Sequence, residues 1–390
     1  MRTLHYVTGG TGLVGSALIL QLSALDDVDV VCLLRGDRSD AESRLHRTLR
    51  RAARAYGTAP KVVESALRHI RVVPGVDLAR EVSGLELPAP AGAGRVEFWH
   101  LAACMRFRES ERRVTFATNV AGTRRALALA DRAGTQVFNL ISTAYVAGSA
   151  QGMTREEPVA VPRARNPYER SKIAAERLAF GARDFAVRVL RPSAIVGHSS
   201  TLAYPGVPSG ACTVQRLVAA FHRSAGSGPQ QQQRHRLLVR EDGPLNLVPV
   251  DHVVREALEI SRSGPPHGIF HLTNPTPPTV GDFVRACFWN AGGMEPEFVR
   301  DQDALGPDDR LLHEMLSVFL PYLRTTPAFG RERTDAALRA PAAAGWLPDP
   351  AALRRMFLPF AARPAPRSHR PDRPVEESPW PPSSSRRRWT

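Results

Sequence analysis

Lysine is almost missing from this sequence: its 390 residues include two, Lys61 and Lys172, against 50 arginines. Any motif that demands a lysine is therefore hard to meet by accident. Cysteine is sparse as well. Cys32, Cys104, Cys212 and Cys287 lie far apart, with no Cys-x-x-Cys pair and no histidine-rich ligand set beside them. That pattern argues against a disulfide framework and a structural zinc, and a reduced cytoplasmic protein without a metal is expected. Long apolar runs are lacking too. The longest candidate, residues 13–25, is broken by Ser16, Gln21 and Ser23, and it falls short of the roughly 18–20 residues of a membrane span. Met1-Arg2 leads straight into a β-like segment, so no secretory leader is expected.

What is present reads as a globular chain. Hydrophobic residues make up 43% and charged residues 23%, enough to bury a substantial core in about two domains or one large domain with a lid. Basic residues outnumber acidic ones by 52 to 38, a net charge of +14. Arginine clusters over residues 35–54, where Leu45, Leu49, Ala52 and Tyr56 form an apolar seam at helical spacing. Two readings stand: a surface helix with a solvated basic face, or a dock for an acidic partner. Nucleic acid is not expected, because the stripe has no interleaved aromatics and no reading motif.

Strand signals at residues 3–7, 28–34, 72–73, 96–101, 137–142 and 186–190 alternate with helical stretches, most clearly 12–25, 119–133 and 171–180. Such alternation implies βαβ units: an α/β, Rossmann-like, doubly wound parallel sheet. Residues 1–198, completed by 245–274, form the expected dinucleotide domain. Residues 199–244, with Pro205, Pro208 and a glutamine run, read as a flexible loop that joins 275–362 in a smaller, mostly helical substrate domain. Residues 245–254 read as a helix and 269–273 as a strand returning to the sheet. Residues 363–390 carry seven prolines, seven arginines and three consecutive serines, a composition that predicts disorder.

Thr8-Gly9-Gly10-Thr11-Gly12-Leu13-Val14-Gly15 follows the first strand and opens a helix. Glycines there permit a tight turn and let the backbone approach a pyrophosphate, while the helix N-terminus offers free N–H groups. The second strand ends in Leu33-Leu34-Arg35 rather than in an acid, with Asp37 following only after Gly36. An arginine accepts a 2′-phosphate where an acid would repel it, so NADPH is favoured over NADH. Further on, Tyr168 and Lys172 stand four apart, on one helical face. Upstream, Ser142 and Thr143 end a strand and supply hydroxyls.

With these motifs in order, the sequence resembles the extended short-chain dehydrogenase/reductase superfamily, and within it the thioester reductase and fatty acyl-CoA reductase branch with male-sterility-type NAD-binding domains. The resemblance covers roughly residues 3–290. It is carried by residues 8–15, Leu34-Arg35 with Arg44-Leu45, His100-Leu101-Ala102-Ala103, Asn119-Val120-Ala121-Gly122-Thr123, residues 142–148, residues 168–172 with Glu176, Arg191-Pro192-Ser193 and Val248-Pro249-Val250-Asp251.

The resemblance implies a catalytic triad of Thr143, Tyr168 and Lys172. Tyr168 would donate a proton to the developing oxyanion, Lys172 would assist it and bind the nicotinamide ribose, and Thr143 would hold the carbonyl oxygen. It also implies that Gly9, Thr11, Gly12, Leu13, Val14 and Gly15 cradle the pyrophosphate, and that Arg35 with Arg44 meets the 2′-phosphate. Asp77 and Leu78 would lie near the adenine, Ala103 along the cofactor and Ser193 near the nicotinamide. His100 reads as an interior histidine, and Asn119 as a packing or capping residue. By position, Met105, Phe107 and Tyr204 are candidates for the substrate pocket.

The sequence departs from the family pattern at Gly75-Val76-Asp77-Leu78, which holds one inserted residue. Nothing in it resembles a phosphopantetheine attachment site, so an acyl thioester is expected on a separate acyl or peptidyl carrier protein or on coenzyme A. The expected activity is NADPH-dependent reduction of such thioesters to an aldehyde; a second hydride would give the alcohol, and the sequence leaves open whether reduction stops at the aldehyde. Two alternatives stay open: action on a ketone, alcohol or nucleotide sugar, and a non-catalytic cofactor sensor.

Overall fold

The computed structural model describes residues 2–363 apart from 82–84, 86, 89–91, 93, 151, 209, 225–232, 326 and 340–344. Residues 364–390 of the arginine-rich tail therefore lie outside the described residues, as do residues 230–232 of the glutamine run. In the first half, β1 (Thr3–Thr8), α1 (Leu13–Leu22), β2 (Val28–Leu33), α2 (Arg38–Tyr56), α3 (Pro60–His69), β3 (Ile70–Val73) and β4 (Arg95–His100) follow in turn. Next come α4 (Arg112–Phe116), a π turn at Ala117–Ala121, α5 (Gly122–Arg132), β5 (Val137–Ile141), β6 (Met153–Thr154), α6 (Pro167–Phe180), β7 (Ala186–Pro192) and β8 (Ala194–Val196). The second half contains α7 (Ala211–Ser224), β9 (Arg236–Leu237), β10 (Leu247–Pro249), α8 (Val250–Ser263), β11 (Gly268–Leu272), α9 (Val280–Asn290) and β12 (Glu297–Phe298). It closes with α10 (Pro307–Met315), α11 (Leu320–Arg324), β13 (Ala328–Phe329), α12 (Glu332–Ala337) and α13 (Pro350–Ala361).

Seven strands form one sheet in the order β11-β7-β5-β4-β1-β2-β3, with every neighbouring pair parallel. Helices cover both faces, so the strands are largely buried, and β1, β4, β5 and β7 bury His5, Glu97, Asn139 and Arg188 as well as apolar side chains. On one face, Val7, Cys32 and Trp99 pack with Ile19 of α1, Leu45 and Leu49 of α2, and Val253 of α8. On the other, Tyr6, Phe98 and Phe138 pack with Ala126 of α5 and Ala179 of α6. A third apolar cluster joins Phe221 of α7, Phe283 and Phe288 of α9, Leu312 of α10 and Phe357 of α13.

The Rossmann-like sheet matches the fold expected from strand–helix alternation. Four local readings need correction. Residues 211–224, read as loop, form α7; Val214, Val218 and Phe221, spaced four and three apart, bury one helical face, a pattern obscured by the flanking prolines and glutamines. The helix expected at 245–254 is instead the short strand β10, paired with β8, followed by α8. The helix expected from 171 starts at Pro167 behind an Asn166 cap, so Tyr168 sits in its first turn. The helix expected over 119–133 begins at Arg112 and widens into a π turn around Asn119.

Candidate active site at the carboxyl edge of the sheet

Strand order reverses between β1 and β4, and the carboxyl ends of a parallel sheet leave a crevice at that point. Gly9, just past β1, has φ +73°, and a Cβ there would stand 2.6 Å from the Ala102 backbone nitrogen. A Cβ on Gly15 would stand 2.3 Å from the Gly9 carbonyl oxygen, which is how closely α1 packs on the turn. Gly12 caps α1 without a side chain, and the helix's first turn holds no acid. Gly12 is exposed, and Thr11, Leu13 and Val14 are half-buried beside it. This helix end thus offers backbone N–H groups and a positive dipole to an anion. The residues fit the pyrophosphate of a dinucleotide.

Arg35 is exposed just past β2, and its guanidinium pairs with no described residue. Asp37 is spent on capping α2, its carboxylate accepting from the Asp40 N–H at 2.9 Å. Arg44 donates to the Arg35 carbonyl at 2.6 Å and pairs with Asp40, so the two arginines lie side by side. The inserted residue of the third loop is absorbed at Gly75, with φ +77°. There Gly75 N–H donates to the Gly36 carbonyl at 2.8 Å and Val76 N–H to the Leu34 carbonyl at 2.9 Å. Asp77 and Leu78 are thereby carried close to the end of β2. The Asp77 carboxylate accepts from the Ala79 N–H, and the Leu78 carbonyl from Arg125. Ala103 is exposed past β4.

Tyr168, Lys172 and Thr143 meet beyond β5. The Lys172 ammonium donates to the Ile141 carbonyl at 2.6 Å, tying α6 to the strand end. Burial pushes the lysine down to about 8, with the Glu176 carboxylate pulling the other way. Burial also raises the Tyr168 phenol above its ordinary range, and the adjoining Glu169 carboxylate adds to this, while a hydrogen bond with the Thr143 side chain opposes it. The Thr143 hydroxyl also accepts from the Tyr145 N–H at 3.2 Å. Ser142, its neighbour, instead donates to Glu176 at 2.5 Å, and Glu176 is held by two bonds from buried Arg191 at 2.7 and 2.9 Å.

His100 behaves as an interior histidine. Its ring nitrogens meet the Thr8 and Thr123 hydroxyls at 2.8 and 3.1 Å, and burial pushes it down to about 3. Asn119 ties elements together: its side chain bonds both the N–H and the carbonyl of Cys104 and donates to the Ser171 hydroxyl at 2.9 Å. The Ser193 hydroxyl is taken by the Asn246 side chain at 2.5 Å, and Asn246 is itself bound to Asn274.

Sequence reasoning missed an aromatic wall beside Tyr168. The Phe107 ring lies edge-on to Tyr168 at 5.5 Å, to Phe319 at 5.9 Å and to Tyr322 at 6.3 Å. Tyr145 is edge-on to Tyr322 at 5.1 Å and to Phe329 at 5.8 Å. Only the loop containing Phe107 was legible, by position. Tyr204 packs on Phe360, and its loop brings Gly206 against Leu13 of the glycine turn. No periodicity links Phe319 or Tyr322 to a motif some 150 residues earlier; the one local signal was Asn166-x-x-Glu169, the spacing of a helix cap.

A doubly wound parallel sheet with a glycine turn after β1 is the Rossmann-like architecture of the extended short-chain dehydrogenases/reductases, a class of nicotinamide-dependent oxidoreductases. The chain belongs to the male sterility protein family of NAD-binding domains, whose model matches residues 7–257. It is 28% identical over 300 residues to a linear gramicidin synthase polypeptide of Brevibacillus parabrevis; the match covers 72% of this chain and 5% of that protein. Among solved structures, it is similar to the terminal R domain of the myxalamid PKS-NRPS pathway, with TM-score 0.69, 22% identity, and coverage of 92% of this chain and 90% of that one. A thiolation-reductase di-domain of an archaeal non-ribosomal peptide synthetase has TM-score 0.67 at 16% identity, covering 91% of this chain and 74% of that one. Among the described residues, no helix is long and apolar enough to cross a membrane, and no group of three or more His, Cys, Asp or Glu side chains is placed to hold a metal ion.

Proposed function

We propose that the chain is an NADPH-dependent reductase that converts acyl thioesters to aldehydes. The observation that carries this reading is the assembly of Thr143, Tyr168 and Lys172 at one strand end, beside a helix N-terminus fit for a dinucleotide. Residues 1–198 and 245–274 act as the dinucleotide domain in this reading, and 199–244 with 275–362 as the substrate domain. Arg35 meets the 2′-phosphate with Arg44 beside it; its exposed, unpaired guanidinium supports NADPH over NADH. Gly9, Thr11, Gly12, Leu13, Val14 and Gly15 hold the pyrophosphate. Asp77 and Leu78 border the adenine, and Ala103 and Ser193 border the remainder of the cofactor.

When bound, the nicotinamide supplies a hydride to the thioester carbonyl carbon. Tyr168 delivers its phenolic proton to the carbonyl oxygen, giving a hemithioacetal. The Thr143 hydroxyl donates to the same oxygen, and the Lys172 ammonium stabilises the phenolate that Tyr168 becomes. The C–S bond then breaks, releasing an aldehyde and a free thiol, and Tyr168 is reprotonated from solvent. A second passage, with the aldehyde as substrate, would give the alcohol.

A carrier protein or coenzyme A presents the thioester in this reading. Arg47, Arg51 and Arg54, spaced four and three apart on α2, are exposed and pair with no described residue, unlike Arg38, Arg44 and Arg50 of the same helix. Such a stripe suits an acidic carrier. The test is NADPH oxidation with acyl-pantetheine and acyl-CoA thioesters, with the matching aldehydes alongside and thiol release measured. Thioester turnover with free thiol supports the reading, and the aldehyde arm shows whether two or four electrons pass. Turnover on aldehydes, ketones or sugar nucleotides alone overturns it.

A further inference from the structure

Tyr168 occupies the first turn of α6, where N–H groups lack partners within the helix and orientation depends on the cap. The Asn166 side chain caps that turn by accepting from the Glu169 N–H at 3.0 Å. Glu169, the residue after Tyr168, is wholly buried. One of its carboxylate oxygens accepts from the Arg165 N–H at 2.7 Å, and the other from the Arg165 guanidinium at 2.8 and 3.0 Å.

That second oxygen has a further donor, the Tyr322 hydroxyl, at 2.7 Å. The same hydroxyl accepts from the Asn166 side chain at 2.7 Å. The Arg165 guanidinium lies 3.9 Å over the Tyr322 ring and donates to the Pro321 carbonyl. Tyr322 also meets the other half of the site, because its ring braces Tyr145, whose N–H holds the Thr143 hydroxyl.

We infer that Tyr322 is a positioning residue for the reaction. Its hydroxyl completes the cap on the turn that carries Tyr168, and its ring braces the turn that carries Thr143. The segment around α11 is thus a latch on the reaction helix and not only a wall of the substrate cleft. Lys172 lies one turn further along α6 and is anchored separately on Ile141, so the latch governs the phenol more than the ammonium. The inference rests on Tyr168 being the proton donor and is indifferent to whether the substrate is a thioester.

The test is a double-mutant cycle on the full chain, using whichever carbonyl compound the wild type reduces. Tyr322→Phe keeps the ring and its stack on Arg165 while removing both hydrogen bonds. It should lower kcat about 10- to 100-fold, with KM and NADPH affinity unchanged. In a Tyr168→Phe background the same substitution should leave the residual rate as it was, because the placement of a phenol no longer matters. Equal losses in both backgrounds would reassign Tyr322 to general support of the fold and overturn the inference, as would a wild-type kcat in Tyr322→Phe.

Asn166→Ser reaches the same hydroxyl from the other side, since serine retains a capping oxygen but is too short for Tyr322. Its loss of kcat should not add to that of Tyr322→Phe; full additivity contradicts the latch. Turnover of aldehydes or ketones without thioesters would sink the thioester reading alone and leave the cycle to decide on Tyr322.

Discussion

The two sides of the cleft are built by different means. The dinucleotide side uses main chain: a glycine turn, a bare helix end and carbonyls holding a loop against the end of β2. The side around Tyr168, which the proposed reading gives to the substrate, uses side chains from distant segments, with Phe107, Tyr145, Phe319 and Tyr322 meeting there. A backbone device is encoded over a few consecutive residues and tolerates few alternatives. A side-chain wall is assembled by tertiary packing and can be rebuilt without disturbing the turn opposite.

The sharpest division of that comparison falls at Tyr168, where both sides meet. Tyr168→Phe should lower turnover by about 10²–10⁴-fold and leave NADPH affinity, read by fluorescence titration, unchanged. Near-normal turnover would remove the proton-donor role. On the dinucleotide side, Gly9→Val meets both a positive φ and the Ala102 backbone. It should abolish NADPH binding and cost about 1–3 kcal/mol, seen as a lowered melting temperature. Unimpaired binding would show that the turn has room to move.

Arg35→Ala is expected to weaken NADPH by about 10- to 100-fold while sparing NADH; equal losses for the two would refute contact with a 2′-phosphate. The pH profile probes the seam more gently. Lys172 must carry its proton to act, and burial lowers it to about 8, so kcat/KM should fall as pH rises through that value. Tyr168 is pushed the opposite way and stays protonated across the same window. Lys172→Arg would then flatten the alkaline limb, since guanidinium keeps its charge. The smallest effect is expected from replacing Arg47, Arg51 and Arg54 with alanine. Carrier-bound substrate should show a KM raised a few-fold, most at low salt, whereas a pantetheine thioester should not notice.

The same division explains what the sequence disclosed. The sheet, the glycine turn, Arg35 and the Tyr-Lys pair are local patterns, each readable within one strand–helix unit. The interior roles expected of His100 and Asn119 agree with their bonds to Thr8, Thr123, Cys104 and Ser171. Helix α7 escaped because flanking prolines and glutamines masked a clear apolar face. Tyr322 escaped for a deeper reason: its partners, Asn166 and Glu169, lie 156 and 153 residues earlier, and one sequence carries no signal for a contact of that span. The π turn at Ala117–Ala121 escaped as well, since nothing in its composition separates it from an ordinary helix.

The cap that Tyr322 places on α6 also bears on how the protein is made. The glycine turn is synthesised well before Tyr322, so the Arg165–Glu169 pair waits without its final donor while the chain between α6 and α11 is made. The sheet itself needs β11 and the packing of α8, and the first turn of α6 stays without its last hydrogen bond until α11 docks. A chain that stopped before α11 would therefore lack the Tyr322 donor to Glu169.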